Sequence, residues 1–370
     1  MSRTTPRVQD PAALELLDEL ADDGRNIDTG LGTLTGESAQ QSVLDTKYDV
    51  ALHSQAFPYV PSQQSTTSPT YYDQPMLKQP VWEWDIAAYF YVGGAAGASA
   101  TLAAAAQLIA PDSMRLLIRR GHWVGTVGAT ISAAFLIYDL GRPSLFLNML
   151  RVFRVTSPMS MGSWILTGFS TCVGGAAILP LGPRIFRPLA YPLGLIAGLF
   201  GLGLSTYTGV LISQTAVPVW QQSYRVMPIL FAASGMAASA AIFEFFSWSQ
   251  RELTTIERFG LVGKIAELTT AMILEQNASR VERVGRPLKH GVGGTLWRAA
   301  KVFTAVGIAL SLLPGRSRSK HVASGVLGTV GSLCTRFGIF YAGKSSSRDP
   351  RSSFEQQRQI PPPSVPLQAS

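Results

Sequence analysis

The sequence predicts an all-α, polytopic membrane protein of about eight transmembrane helices, and three observations carry that reading. Only 15% of its 370 residues are charged and 46% are hydrophobic, with a positive mean hydropathy, against about 25% charged residues in soluble domains. Long uncharged runs recur between residues 86 and 341, and about 20 apolar helical residues cross the hydrocarbon layer of a bilayer. Thirty-five glycines supply the small side chains that let membrane helices approach closely.

The same composition excludes several function classes. The net charge is +8, but the basic residues sit in short loops beside apolar runs. That placement is a signal of membrane topology rather than a nucleic-acid surface. Cys172 and Cys334 both lie inside apolar runs and are too few for an iron–sulfur cluster or a disulfide framework. Of His53, His122, His290 and His321, only His122 belongs to a strong apolar run, whereas an intramembrane b-type haem normally takes two facing histidines. The chain is expected to hold no haem, no iron–sulfur cluster and no other metal.

Three regions follow in order. Residues 1–79 form a polar tail rich in Ser, Thr, Gln and Pro, expected to be flexible for much of its length and to carry no signal-peptide core. Within it, PAALELLDELADD (11–23) has the pattern of a short acidic helix, either a marginal surface helix or a docking helix for a partner. Residues 80–343 are the membrane domain, and 344–370, with the proline triplet 361–363, form a polar C-terminal tail expected to be disordered.

Each span of the membrane domain has its own justification. Trp82 and Trp84 mark a membrane boundary ahead of 25 uncharged residues, 86–110, which Pro111 and Asp112 end. Arg115, Arg119 and Arg120 read as a basic loop before the second span, 121–138. The third and fourth spans, 159–183 and 190–213, are uncharged and separated by Arg184 and Arg187. The fifth, 226–248, carries Glu244 near its end. Residues 254–275 are helical in character but hold Glu257, Arg258, Lys264 and Glu267, so this helix either lies on the membrane surface or spans with its charges turned inward. Lys264 and Glu267, three apart, can pair on one face. Residues 276–298 read as a basic, glycine-containing loop, and 297–314 and 321–341 as two shorter spans separated by Arg316, Arg318 and Lys320. The total is seven or eight. Counting Lys and Arg does not settle orientation, although seven helices with an outside N-terminus satisfy the positive-inside rule better.

The candidate chemistry gathers around DLGRPSLFLNMLRVFRVTSPMSMGSW (139–164), where an acid and three arginines interrupt two apolar runs. Such groups are costly against lipid and need water, protein or a ligand around them. Asp139 and Arg142 can meet across the bend at Gly141 and Pro143, either as a loop-anchoring pair or as a headgroup contact and proton relay. Ser157, Pro158 and Ser160 have the pattern of a helix cap. Asp85 and Tyr89 are four apart and share a face of the first helix. His122 and Tyr207 lie inside spans, where each needs a hydrogen-bonding partner. Glu244 and Glu267 are carboxylates in apolar context and candidate proton carriers.

The stretches WEWDIAAYFYVGGAAGA (82–98), DLGRP with FLNMLRVFR and TSPMSMGSWIL (139–166), YTGVLI with VPVW (207–220) and TRFGIFYAGKSSSRDP (335–350) together resemble the polysulfide-reductase membrane-subunit, or NrfD-like, family. The resemblance runs from about residue 71 to 350. It implies eight helices in two four-helix bundles, in a bacterial inner membrane. It also implies an anchor for a ferredoxin-like iron–sulfur subunit and a molybdopterin catalytic subunit, with electrons exchanged with a bound, exchangeable menaquinone or menaquinol among the first four helices. Tyr207 matches the tyrosine of the family's YTG motif. A polar residue of the first helix, histidine in some relatives, falls at or next to Tyr89. The expected site is therefore Asp85, Tyr89 and Tyr207 for binding, with Asp139, Arg142 and His122 handling protons. A second class, a proton-coupled transporter or proton-translocating module without quinone chemistry, would instead use Glu244, Lys264 and Glu267.

Overall fold

The computed structural model of the chain describes residues 26–28, 33–35, 77–140, 143–315, 317–349, 351–353 and 356. Residues 1–72 of the polar tail form a unit of their own. Its described residues are two short antiparallel strands, β1 (Asn26–Asp28) and β2 (Thr33–Thr35), with Ile27 opposite Leu34. This ribbon is a departure from the all-α expectation. The acidic helix expected at 11–23 lies outside the described residues.

The second unit is built on long helices. α1 is Trp84–Ile109, α2 Arg115–Asp139, α3 Pro158–Ile178 and α4 Ala190–Ser213; α5 is Met227–Phe243, α6 Gln250–Ala278, α7 Gly291–Leu312 and α8 Arg318–Ser347. Among the described residues five segments are long and apolar enough to cross a membrane by length and composition: α1, α3 with its 3-10 extension, α4 with the turn before it, α7 and α8. α5 has 17 residues, and α2 and α6 carry several charges, so apolar length alone does not settle the expected count of eight.

Packing explains why these charges are tolerated. α1 lies against α2, α4, α5 and α8; α3 bridges α2 and α4; α6 and α8 flank α5; and α7 lies between α6 and α8. The helix of doubtful placement, α6, is inverted relative to a soluble helix. Lys264, Glu267 and Thr270 are buried while Val262, Ile265, Met272 and Ile273 face outward. Water would select the opposite arrangement, whereas lipid selects this one. Lys264 and Glu267 are thus turned inward, while Arg258 stays exposed. The expected Lys264–Glu267 pair does not form: Lys264 turns to Glu244 on α5 at 3.9 Å, and Glu267 accepts from Thr335 of α8 at 2.8 Å.

Alternating helices define two ends. Trp82, Trp84, Trp220 and Asp139 mark the tryptophan end; Arg115, Arg120 and Arg318 mark the arginine end. α2 begins at Arg115, not at 121, because Glu252 of α6 accepts from the Leu117 N–H at 2.8 Å and supplies a partner for a free helix start. Glu252 also completes a capping box with Ser249. The expected loop 276–298 is largely helical as well. α6 runs to Ala278, a short helix Glu282–Lys289 buries Val284 and Leu288, and α7 starts at Gly291, whose φ of 71° makes the sharp turn. At the C-terminus α8 continues past 343 to Ser347, and Ser346, Ser347, Ser352, Ser353 and Gln356 are buried. The helix and its buried contacts therefore continue past 343. The Ser352 hydroxyl donates to the Asp349 and Ser346 carbonyls and ties this end down.

α1 crosses α4 at close range, where a Cβ at Gly97 would strike the Gly201 carbonyl oxygen and a Cβ at Gly201 would strike that of Gly97. Gly97→Val is expected to cost about 1–3 kcal/mol by forced overpacking. Thermal unfolding of the detergent-solubilised protein measures this; an unchanged midpoint would show that the crossing can open freely.

Candidate functional site

The central stretch after α2 becomes a 3-10 helix, Pro143–Leu150, followed by an irregular segment that leads into α3. The expected cap is present. Ser157 accepts from the Ser160 N–H at 3.4 Å with Pro158 in the first turn. Ser160 reaches back as well: its hydroxyl donates to the Val152 carbonyl at 3.0 Å and accepts from the Arg154 N–H at 3.1 Å. TSPMS thus staples the interrupted stretch to α3. Arg142 lies outside the described residues, so its pairing with Asp139 belongs to the proposal below.

Asp85, Tyr89, Asp139 and Tyr207 come together at the tryptophan end. Asp85 is only 2% exposed in the first turn of α1, where it accepts from the Ile86 N–H at 3.0 Å and complements the helix dipole. Glu83, Asp85 and Asp139 lie within electrostatic reach of one another, and Lys344 of α8 lies within reach of Glu83 and Asp85. Tyr89 is buried one turn deeper and near Tyr207. The Tyr207 hydroxyl donates to the Pro158 carbonyl, and its ring fills the space that a Cβ on Gly162 would need. Tyr207 thereby locks α4 to the start of α3, with the Gly162 backbone N–H also directed at its oxygen.

His122 is not part of this group. It is 17 positions from Asp139 on the same helix, about 25 Å at 1.5 Å per residue, towards the arginine end. There it is buried, and Nε2 has no hydrogen-bond partner among the described residues.

Three residues enter the picture that sequence reasoning did not single out as site residues. Ser132 of α2 is fully buried, its hydroxyl without a partner among the described residues, facing Gly93 one turn beyond Tyr89. The signal was a lone serine within an apolar span. Trp220, in the short helix Pro218–Gln222 between α4 and α5, is fully buried. It stacks on Trp82 with centroids 6.2 Å apart, donates to the Ile339 carbonyl at 3.0 Å and occupies the space above Gly343. Arg336 of α8 is also buried, donating to the Phe231 carbonyl at 2.7 Å with its guanidinium 3.9 Å from the Phe231 ring centre. An open pocket of about 300 Å³ lies apart from this group, lined by Met272, Glu275, Gln276, Ser279 and Lys289. Its carboxylate, Glu275, is already held by Lys301 and Trp297.

The profile of the family described as "Polysulphide reductase, NrfD" matches residues 74–346. The chain belongs to that family. It is an integral membrane protein with multiple apolar helices. A curated relative, a polysulfide reductase chain from Wolinella succinogenes, is 26% identical over 177 residues. That alignment covers 43% of this chain and 55% of the relative, so the chain spans about half the length of the relative it matches. The family match begins just ahead of Trp82 and ends within the last turn of α8. It therefore takes in the carboxylates, tyrosines and caps of the tryptophan end. Among the described residues no group of three or more His, Cys, Asp or Glu could hold a metal ion.

Proposed function

We propose that this NrfD-family chain is the membrane subunit of an oxidoreductase complex, with its helices spanning a bacterial inner membrane eight times as two four-helix bundles, α1–α4 and α5–α8. In this reading it binds menaquinone or menaquinol and exchanges electrons with a ferredoxin-like iron–sulfur subunit, itself joined to a molybdopterin catalytic subunit. The observation that carries it is a cluster of buried hydroxyls at the tryptophan end with hydrogen-bonding capacity to spare. The Ser132 hydroxyl has no partner among the described residues, and the buried Tyr89 lies beside it against the same Gly93.

Those donors and acceptors fit a quinone headgroup. When bound, the carrier would give up two electrons and two protons as menaquinol, or take up two of each as menaquinone. The chain's own part is to bind, orient and move protons. Tyr89 and Ser132 present O–H donors to a carbonyl, while Tyr207 keeps α3 and α4 in register beside them. Asp85 and Asp139 are the proton acceptors between this layer and the aqueous face, with Arg142, three residues on in sequence, as the proposed counter-charge of Asp139. Glu83 and Lys344 set the local potential. The iron–sulfur partner is proposed to dock over Trp84, Asp85 and the 139–164 stretch, the aqueous face nearest these groups.

The test is quinone titration of the purified complex. Tyr89→Phe and Ser132→Ala each remove one donor and are expected to weaken quinone binding roughly 2–10-fold, the worth of one net hydrogen bond of about 0.5–1.5 kcal/mol. Normal binding in both variants would remove the site from this layer.

A further inference from the structure

The helices α5–α8 enclose charges that the proposed quinone site does not use. Lys264 and Glu267 of α6, Glu244 at the end of α5 and Arg336 of α8 are each nine-tenths or more buried. A structural quartet of two acids and two bases would be expected to close into contact ion pairs, since only tight geometry offsets the desolvation of buried charge. These four do not. Lys264 Nζ stands 3.9 Å from Glu244 Oε1 and donates to Ser324 at 2.9 Å and Ser311 at 3.2 Å. Glu267 Oε1 accepts from Thr335, a neutral hydroxyl, and Arg336 spends its bond on a backbone carbonyl. Glu244 Oε2, Glu267 Oε2 and Arg336 Nε and Nη1 are left without hydrogen-bond partners among the described residues. An orphaned carboxylate oxygen in an apolar interior is costly, and taking up a proton removes the charge.

The charges form a line. On α6, Glu257, Lys264 and Glu267 share one face; on α8, His321, Ser324 and Thr335 share the facing one. Glu257 and His321, 3.9 Å apart, are the members at the arginine end, with side chains 30% and 12% exposed. Lys320 and Glu257 act electrostatically on Glu244 from the same end. Gly307 of α7 and Gly328 of α8 make room for the Lys264 stem. At the inner end Arg336 lies within electrostatic reach of Tyr91 of α1 and packs against Gly94, so the line stops at the α1–α8 contact.

We infer that the α5–α8 half carries an exchangeable proton on its buried carboxylates Glu244 and Glu267, loaded from water at the arginine end past Glu257 and His321. One proton from bulk water adds to one carboxylate oxygen and gives a neutral carboxylic acid; loss of that proton to the same water restores the carboxylate. This site is separate from the proposed quinone site and does not depend on it.

An apolar carbodiimide tests this directly. Dicyclohexylcarbodiimide partitions into lipid and reacts with a protonated carboxyl. The acid adds across a C=N bond, its proton passes to nitrogen, and rearrangement leaves an N-acylurea without a leaving group. The full-length chain, treated in its native membrane and mapped by peptide mass, is expected to carry the adduct on Glu244 or Glu267, with yield rising as the pH is lowered. Glu244→Gln or Glu267→Gln should lose the corresponding adduct. Both amides keep an acceptor for the existing contacts. Absence of label on both wild-type residues at every pH, or labelling independent of pH, overturns the inference. Protection by sodium at fixed pH and ionic strength overturns it in favour of a metal-cation site.

Discussion

Asp139→Asn is expected to lower quinol-dependent turnover of the assembled complex on the order of 100-fold, the low end of what a positioned proton acceptor contributes. The substitution keeps the size and hydrogen-bonding shape of the side chain at the end of α2 and removes its capacity to take a proton. Its neighbours Glu83 and Asp85 are relieved of a like charge, so the α1–α2 packing is expected to survive. Assembly of the complex, followed by co-purification of its partners, should be unchanged. The measurement is the steady-state rate with a quinol donor alongside quinone affinity. A fall in rate with little change in affinity identifies proton transfer; equal loss of both identifies a binding role. Turnover at the wild-type rate would remove Asp139 from the mechanism and leave Asp85 as the remaining acid of this layer.

Tyr207→Phe gives a useful contrast. Its hydroxyl already donates to the Pro158 carbonyl, so its loss is expected to cost about 1 kcal/mol of stability through an unpaired carbonyl. It is also expected to lower quinone turnover, with the complex still assembled. A thermal midpoint that falls while turnover holds would make Tyr207 a structural lock between α3 and α4 only.

Helix identity was legible in the sequence wherever the deciding force was local. α4 matches its expected bounds of 190–213 because Arg187 and Pro188 precede it and a polar segment follows Ser213. The TSPMS cap needed only neighbours three residues apart, and it formed. What escaped was decided by partners distant in sequence. The start of α2 depends on a carboxylate 135 positions away, and Tyr207 meets a carbonyl 49 positions away. Arginines 115, 119 and 120 therefore looked like a loop when they are the first turns of a helix. The short helix Glu282–Lys289 contains Pro287, which argues against helix from sequence alone. Tyr207 stood out as a polar group inside a span, and Tyr89 through its shared helix face with Asp85; the fold puts Tyr89 near Tyr207 and Asp85 near Asp139. His122 stood out for the same reason as Tyr207 but occupies the opposite end of α2. Composition marks a polar residue in a membrane; only the packing says which layer it joins.

Lys264→Met tests the buried charges of the second half most severely. The methionine side chain fills the space between Gly307 and Gly328 but leaves Glu244 without its counter-charge and Ser311 and Ser324 without their donor. Removing one partner of a buried pair is expected to cost about 3–5 kcal/mol. Glu244→Gln in the same protein should recover most of that loss, because a pair of neutral side chains has no charge to desolvate. The comparison is thermal unfolding of both single variants and the double variant in one detergent. Acidifying the Lys264→Met protein should shrink its deficit, since a protonated Glu244 needs no counter-charge. A single variant as stable as the wild type at every pH would mean that Glu244 is already neutral beside Lys264. A deficit that the second substitution fails to relieve would place the cost in the two serines instead of the charge left on Glu244.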